Sequence, residues 1–282
     1  MNIQKSFYLL TIMVLCGFLM SACSHTKTGK KNDIRFTSIQ KKEQYHLLGD
    51  TANPACNLEI NFSYPSKYSD PKILALLQEN FILSYFGEKY QKMTPQEAVD
   101  KYTADYLANY KDLEKDYVSD LKNEENAPVG AWYGYFEISS DKVTFNKNDI
   151  VSYTVSYNYY TGGAHGAHTY MNHVLYLKTG KTLSEEDIFN DDYKEKLSKL
   201  IVDKIAKQNN VADPKELENV GYFSIDEIEP NGNFTVDGNG LTYIYNEYEI
   251  AAYVIGAIKV HFTFEELNTL LKKESPISSL FS

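Results

Sequence analysis

The chain has 282 residues, enough for one large domain or two of ordinary size, and its 43% hydrophobic content predicts a substantial core. Lys and Arg total 28 against 38 Asp and Glu, a formal net charge of -10, and Arg35 is the only arginine. That balance excludes a nucleic-acid binder, which needs a basic footprint, and an arginine cluster for phosphate or carboxylate recognition; it would steer a basic partner instead.

Residues 1–22 read as an export signal. Lys5 gives a weak positive start, and Phe7 to Met20 is an apolar run too short to cross a bilayer comfortably. The run ends in Leu19-Met20-Ser21-Ala22-Cys23, which resembles a bacterial lipobox with Met20 where leucine is usual, so Cys23 is expected to carry a lipid. An uncleaved anchor and cleavage by ordinary signal peptidase are the alternatives. Loss of Lys5 with the signal would leave 27 − 38 = -11. Cys16 falls in the removed segment, so Cys56 alone remains in the folded part and no intramolecular disulfide is available. Residues 23–34 are polar and lysine-rich, and are expected to form a flexible tether between a membrane and an extracytoplasmic body in the cell envelope.

From Arg35 to Leu48 the chain has strand character, and the alternation of Cys56, Leu58, Ile60 and Phe62 makes a second strand with Cys56 as a small buried apolar residue, ending at Tyr64-Pro65. Ser69-Asp70-Pro71 offers a cap and first-turn proline to a helix that Gly87 can close. Thr94-Pro95-Gln96-Glu97 is a capping box opening a second helix, whose inward stripe is Val99, Tyr102, Tyr106, Tyr110, Leu113 and Tyr117. With 24 Tyr and 14 Phe in the chain, such a stripe is expected to lie on a sheet. These elements form an N-terminal strand-strand-helix-helix segment over 35–125, with a polar junction at 123–128.

A C-terminal segment over 130–273 follows. Trp132, Phe136 and Ile138 alternate with Tyr133, Tyr135 and Glu137, Ser139-Ser140-Asp141 is expected to turn the chain, and Val143-Thr144-Phe145 to return. The principal strand has Val151, Tyr153, Val155, Tyr157 and Tyr159 on one face and Ser152, Thr154, Ser156 and Asn158 on a face expected to be wet. After a glycine loop, Thr169, Met171, His173 and Leu175 alternate with His168, Tyr170, Asn172 and Val174, and the two runs should pair as a hairpin. Helices are expected near Ser184 and over Tyr193 to Gln208. Strands are expected at Phe234 to Val236, Leu241 to Tyr245 and Ala257 to Phe262, then a capped helix at Thr263. The fold class is α+β: a mainly antiparallel sheet packed by helices, in two closely packed segments.

Chemistry has few footholds. His165, His168 and His173 are close in sequence, but five residues separate the last two, which places them on opposite faces of a regular strand, and His173 lies in the apolar row as a satisfied core histidine. No metal, no cofactor and no catalytic residue is therefore assigned, and no G-x-S-x-G or H-E-x-x-H motif occurs. Gly162-Gly163 joins strand to strand, so it is no phosphate cradle. Tyr160, Thr161, Gly162, Gly163, Ala164 and His165 form the candidate recognition loop, and Tyr245, Asn246 and Tyr248 a further candidate surface.

Two passages, Tyr160 to His165 and Gly240 to Gly256 running into the helix at Glu266, resemble a family of extracytoplasmic domains. That family occurs at the C-terminal end of the anti-sigma factor RsiV, in the peptidoglycan deacetylase PdaC with a companion N-terminal domain, and in bacterial lipoproteins. Ala252 stands where the family carries proline. The resemblance implies a two-part α+β ectodomain and, through RsiV, binding of lysozyme. It carries over neither a sigma-binding segment nor a deacetylase metal motif. The expectation is a non-catalytic, lipid-anchored envelope protein that binds a lysozyme-like protein or peptidoglycan. The alternatives are a glycan-modifying hydrolase or deacetylase using His165 with Glu247 or Glu249, and a structural envelope component.

Overall fold

The computed structural model describes residues 29–122 and 129–281. The expected export signal, Cys23 with most of the expected tether, and the junction at 123–128 lie outside the described residues. Among the described residues no helix is long and apolar enough to cross a membrane.

Strand β1 (Arg35–His46) pairs antiparallel with β2 (Ala55–Lys67), Ile39 opposite Phe62. Cys56, Leu58, Ile60 and Phe62 all point into the core, and burial pushes the Cys56 thiol up, as expected of an inert apolar residue. The strand runs on past Pro65. Its next neighbour pairs only with Asn57 to Asn61, so the missing N–H breaks no ladder on that side. Helix α1 (Pro71–Phe86) starts where Asp70 Oδ1 accepts the N–H groups of Lys72 and Ile73 at 2.8 and 3.3 Å, and ends at Gly87 with φ 95. Helix α2 (Pro95–Lys111) opens on the expected capping box, and α3 (Glu114–Leu121) continues its tyrosine stripe through Tyr117.

After the one-turn α4 (Val129–Trp132), β3 (Phe136–Lys147) departs from the sequence reading. No turn forms at Ser139-Ser140-Asp141. The strand continues, and the chain reverses at Asn148 and Asp149, with φ 54 and 62, into β4 (Ile150–Tyr160). Along β3 the apolar Ile138 is exposed, while Ser139 and Asp141 are buried. The polar groups brought inside are met by hydroxyls and one amide from other elements. Tyr102 donates to both Glu137 oxygens at 2.9 Å, Tyr85 to Ser139 Oγ at 3.0 Å, and Ser63 N–H to Asp141 Oδ1 at 2.6 Å. Tyr85 and Tyr102 therefore do more than pack, since their hydroxyls satisfy Ser139 and Glu137 on this polar strand face.

With β5 (Ala167–Tyr176) and β6 (Lys181–Thr182) the sheet order is β1-β2-β3-β4-β5-β6, antiparallel except at β2–β3. Strands from both sides of 123–128 thus share one sheet, and packing divides the chain later. The first lobe is this sheet with α1 to α3 on one face. The second contains α5 (Glu185–Ile188), α6 (Tyr193–Gln208), the three-stranded sheet of β7 (Phe234–Val236), β8 (Gly240–Tyr245) and β9 (Ile258–Thr263), and α7 (Phe264–Leu267). Leu197, Ile201 and Ile205 of α6 meet Leu241, Tyr243 and Val260 in its core, joined by Ile150 and Val174 from the far face of the large sheet. That far face, expected to be wet, is covered at Ser152 and half-buried at Thr154, Ser156 and Asn158. Ser152 is wholly buried, its hydroxyl donating to Val236 O at 2.6 Å and accepting the Val236 N–H at 3.1 Å.

Residues 30–34, expected to be part of a flexible tether, are instead ordered against the body. Lys30 O accepts the Asn148 N–H at 2.9 Å, Asn32 bonds Asp149 N and Ile150 O, and Ile34 is buried, so residues 30–34 are docked on the β3–β4 turn.

Asp141 is the least satisfied member of the inner β3 face. Its Oδ2 is buried without a partner, and burial pushes the carboxyl from an ordinary 3.8 up to about 7 against the pull of Ser63. A folded-state value above the unfolded one gives a contribution that is full below about pH 3.8 and is lost as the pH rises to about 7. Between about pH 5 and about pH 8, wild type should therefore lose about 2–3 kcal/mol relative to Asp141→Asn in urea unfolding. A gap that stays flat across that range would show that the carboxyl is already charged at the lower pH.

Candidate functional site

The β4–β5 hairpin forms as its alternation requires, with Tyr159 opposite Ala167, Tyr157 opposite Thr169 and Tyr153 opposite His173. Its six-residue connection needs glycine for two different reasons. Gly162 has φ 91, and a Cβ there would also come within 3.0 Å of Trp132 O. At Gly166 the limit is space, since a Cβ would lie 2.9 Å from Tyr159 O. Tyr160 closes the loop by donating to Gly163 O at 2.8 Å, leaving Thr161, Gly163, Ala164 and His165 exposed.

His165 is fixed by a segment eighty residues away. Its ring stacks on Tyr253 with centroids 3.9 Å apart and planes 20° from parallel, and Tyr248 stacks on Tyr253 at 5.6 Å. Nδ1 contacts Gly166 O at 2.8 Å; a carbonyl only accepts, so Nδ1 carries the proton. In the neutral ring Nε2 then accepts from the Tyr248 hydroxyl, 3.2 Å away. Tyr253 OH donates to the same Gly166 carbonyl at 3.1 Å. Tyr248 is 56% exposed and sits at φ 65, an uncommon conformation for a bulky residue and one that needs support from its surroundings. The result is an aromatic array of three rings at the hairpin tip, His165 and Tyr248 exposed and Tyr253 half-buried.

Beside it, side chains complete the open edge of β5. Asn246 accepts the Tyr170 N–H at 2.7 Å and donates to Tyr170 O at 3.0 Å. Asn233 accepts the Asn172 N–H at 2.7 Å and also donates to Tyr170 O at 2.9 Å. Glu247 accepts the His168 N–H at 3.1 Å, with its other oxygen 3.5 Å from His168 Nδ1. Two amides and a carboxylate thus stand in for a neighbouring strand.

The geometry sorts the expected site residues. Asn246, Tyr248 and the loop from Tyr160 to His165 come together. Tyr245 does not belong with them: it is 1% exposed, its hydroxyl donating to Glu229 O at 2.7 Å, because β8 is the central strand of its sheet and both its faces are covered. His168 and His173 do point opposite ways. His173 stacks on Tyr153 at 5.0 Å, and burial lowers it to about 4, so the ring is neutral, but its Nε2 lacks the partner that a satisfied core histidine would have. Neither carboxylate proposed for His165 reaches it, since Glu247 engages His168 and Glu249 accepts from Asn246 N and Asn231 Nδ2. Among the described residues no three His, Cys, Asp or Glu side chains converge as a metal site. Tyr253 and Asn233 were not singled out by sequence; the only trace of Tyr253 is its position inside the Gly240 to Gly256 passage.

The fold and this hairpin site define a two-lobed module whose halves match two families. Residues 51–168 match the family described as Deacetylase PdaC, and residues 186–265 match the Protein of unknown function (DUF3298). The two matches fall on the two packing lobes. A crystal structure of a DUF3298 family member from Bacteroides fragilis is 37% identical, with 89% of this chain and 98% of that chain covered and a TM-score of 0.83. A DUF3298 family protein from Pseudomonas aeruginosa PAO1 shares the fold at 15% identity and a TM-score of 0.58, over 86% of this chain and 96% of that one. No curated protein matches the chain. The chain belongs to the DUF3298 family, with a PdaC-type first lobe.

If the asparagines replace a strand, Asn246→Ala and Asn233→Ala should each cost about 1–3 kcal/mol and speed amide exchange at Tyr170 and Asn172 above the sheet average. Unchanged protection at both amides would show that the edge needs no such cover.

Proposed function

We propose that this chain is a lipid-anchored protein of the cell envelope, held through Cys23, whose ectodomain recognises a partner without catalysis at the hairpin tip. The observation that supports this is the His165–Tyr253–Tyr248 array, with His165 and Tyr248 exposed and Tyr248 held at φ 65. Exposed tyrosines with few rotatable bonds are typical recognition anchors. The preferred partner is a basic protein of the lysozyme type, favoured by the net charge of -10. A second reading, cell-wall glycan, is favoured by the stacked rings themselves, which offer faces to sugar.

An enzyme reading draws on the Deacetylase PdaC name of the first-lobe match. It would need a proton-transfer partner for His165, and the hydrogen-bond partner present is the Tyr248 hydroxyl.

Lysozyme binding measured over a salt series decides between the readings. At low salt, lysozyme should bind and weaken steeply above about 0.1 M as charges are screened. Tyr248→Ala should cost about tenfold or more in affinity with an unchanged melting temperature. Salt-insensitive binding of chitin fragments or peptidoglycan without lysozyme would move the assignment to glycan, and retention of neither ligand would sink the recognition reading.

A further inference from the structure

The end of the molecule away from the hairpin tip holds a cleft of about 930 Å³, large enough for one to three sugar rings. Its walls come from the docked N-terminal segment, the loop before α1, the β3–β4 turn, the end of β5 and the C-terminal segment at 273–279. Three features set it apart in this acidic chain. Lys30, Lys31 and Lys273 line it, and among the described residues none of the three enters an ion pair. Ser275 also lines it, is 4% exposed, and its hydroxyl is buried with no hydrogen-bond partner. Tyr68 and Tyr176 add two aromatic rings to the lining.

The carboxylates present decide the ligand class. Asp149 is balanced by Lys178 at 3.4 Å, whereas Asp33 and Glu274 line the cleft with no ion pair. A bare anion would use the lysines and be repelled by those two carboxylates. A ligand with one anionic group and several hydroxyls uses both sets: its charge meets the ammonium groups, its hydroxyls donate to Asp33 and Glu274, and its apolar ring face lies on tyrosine. We propose that this cleft binds an acidic saccharide, a sugar carrying a carboxylate or phosphate, at a site separate from the hairpin tip.

Calorimetric titration of the full chain with glucuronate, glucose 6-phosphate, glucose and inorganic phosphate tests this. Both acidic sugars should bind at least about tenfold more tightly than glucose or phosphate. Lys31→Ala combined with Lys273→Ala should remove about tenfold or more of that affinity, while Lys42→Ala, away from the cleft, and Tyr248→Ala leave it unchanged. Melting curves of each variant separate lost binding from lost folding, with the Lys→Gln pair as replacement if the alanine pair melts early. Equal affinity for inorganic phosphate, equal affinity for glucose, no binding of any probe at about 10 mM, or full affinity in a folded double variant would each overturn the proposal.

Discussion

A wholly buried hydroxyl stands at the centre of the contact between the two lobes. Ser152 lies in the middle of β4 with no exposure, and its oxygen both donates to and accepts from the backbone of Val236. A strand with water on one face can leave its serines and threonines to the solvent. Here Ser152 on that face is dry, so its hydroxyl requires a partner or costs about 1–3 kcal/mol. Thr154 finds Asn172 at 2.7 Å, and Asn172 in turn finds Asn233 of the second lobe. Sliding β7 by one residue along β4 would orphan these groups together, which is why the interface permits one alignment.

The same requirement shapes the other half of the molecule. On the inner face of β3, Glu137 and Ser139 are satisfied by tyrosine hydroxyls from helices that precede them in the chain. Along β5, asparagine amides supply what a further strand would have supplied. Apolar burial drives the lobes together, and hydrogen bonds between distant side chains decide how they meet.

That division explains what could be read from sequence. Helix starts are local, so Asp70-Pro71 and Thr94 with Glu97 gave their caps correctly. Alternation is local too, and the β4–β5 pairing follows from it. Ser139-Ser140-Asp141 has the composition of a turn, and only Tyr85 and Ser63, more than fifty residues away, make it a strand interior. Ser152 and Thr154 looked wet for a similar reason, because the sheet that covers them lies some eighty residues downstream. Of the candidate site, the hairpin loop was visible through its glycines, while Tyr253 was not, since its stacking on His165 depends on how the second lobe docks. Tyr245 misled because a tyrosine beside Asn246 looks exposed until both faces of β8 are known to be covered.

The docking of residues 30–34 on the β3–β4 turn has a mechanical consequence. That turn is one end of β4 and the aromatic array stands beyond the other, eleven residues away, so about 35 Å of paired strand separates the chain's point of entry from its exposed rings. The hairpin acts as a stiff mast. Its height is set by strand length, so inserting a pair of residues into each of β4 and β5 would move the rings away from the foot without changing the β3–β4 turn on which residues 30–34 are docked.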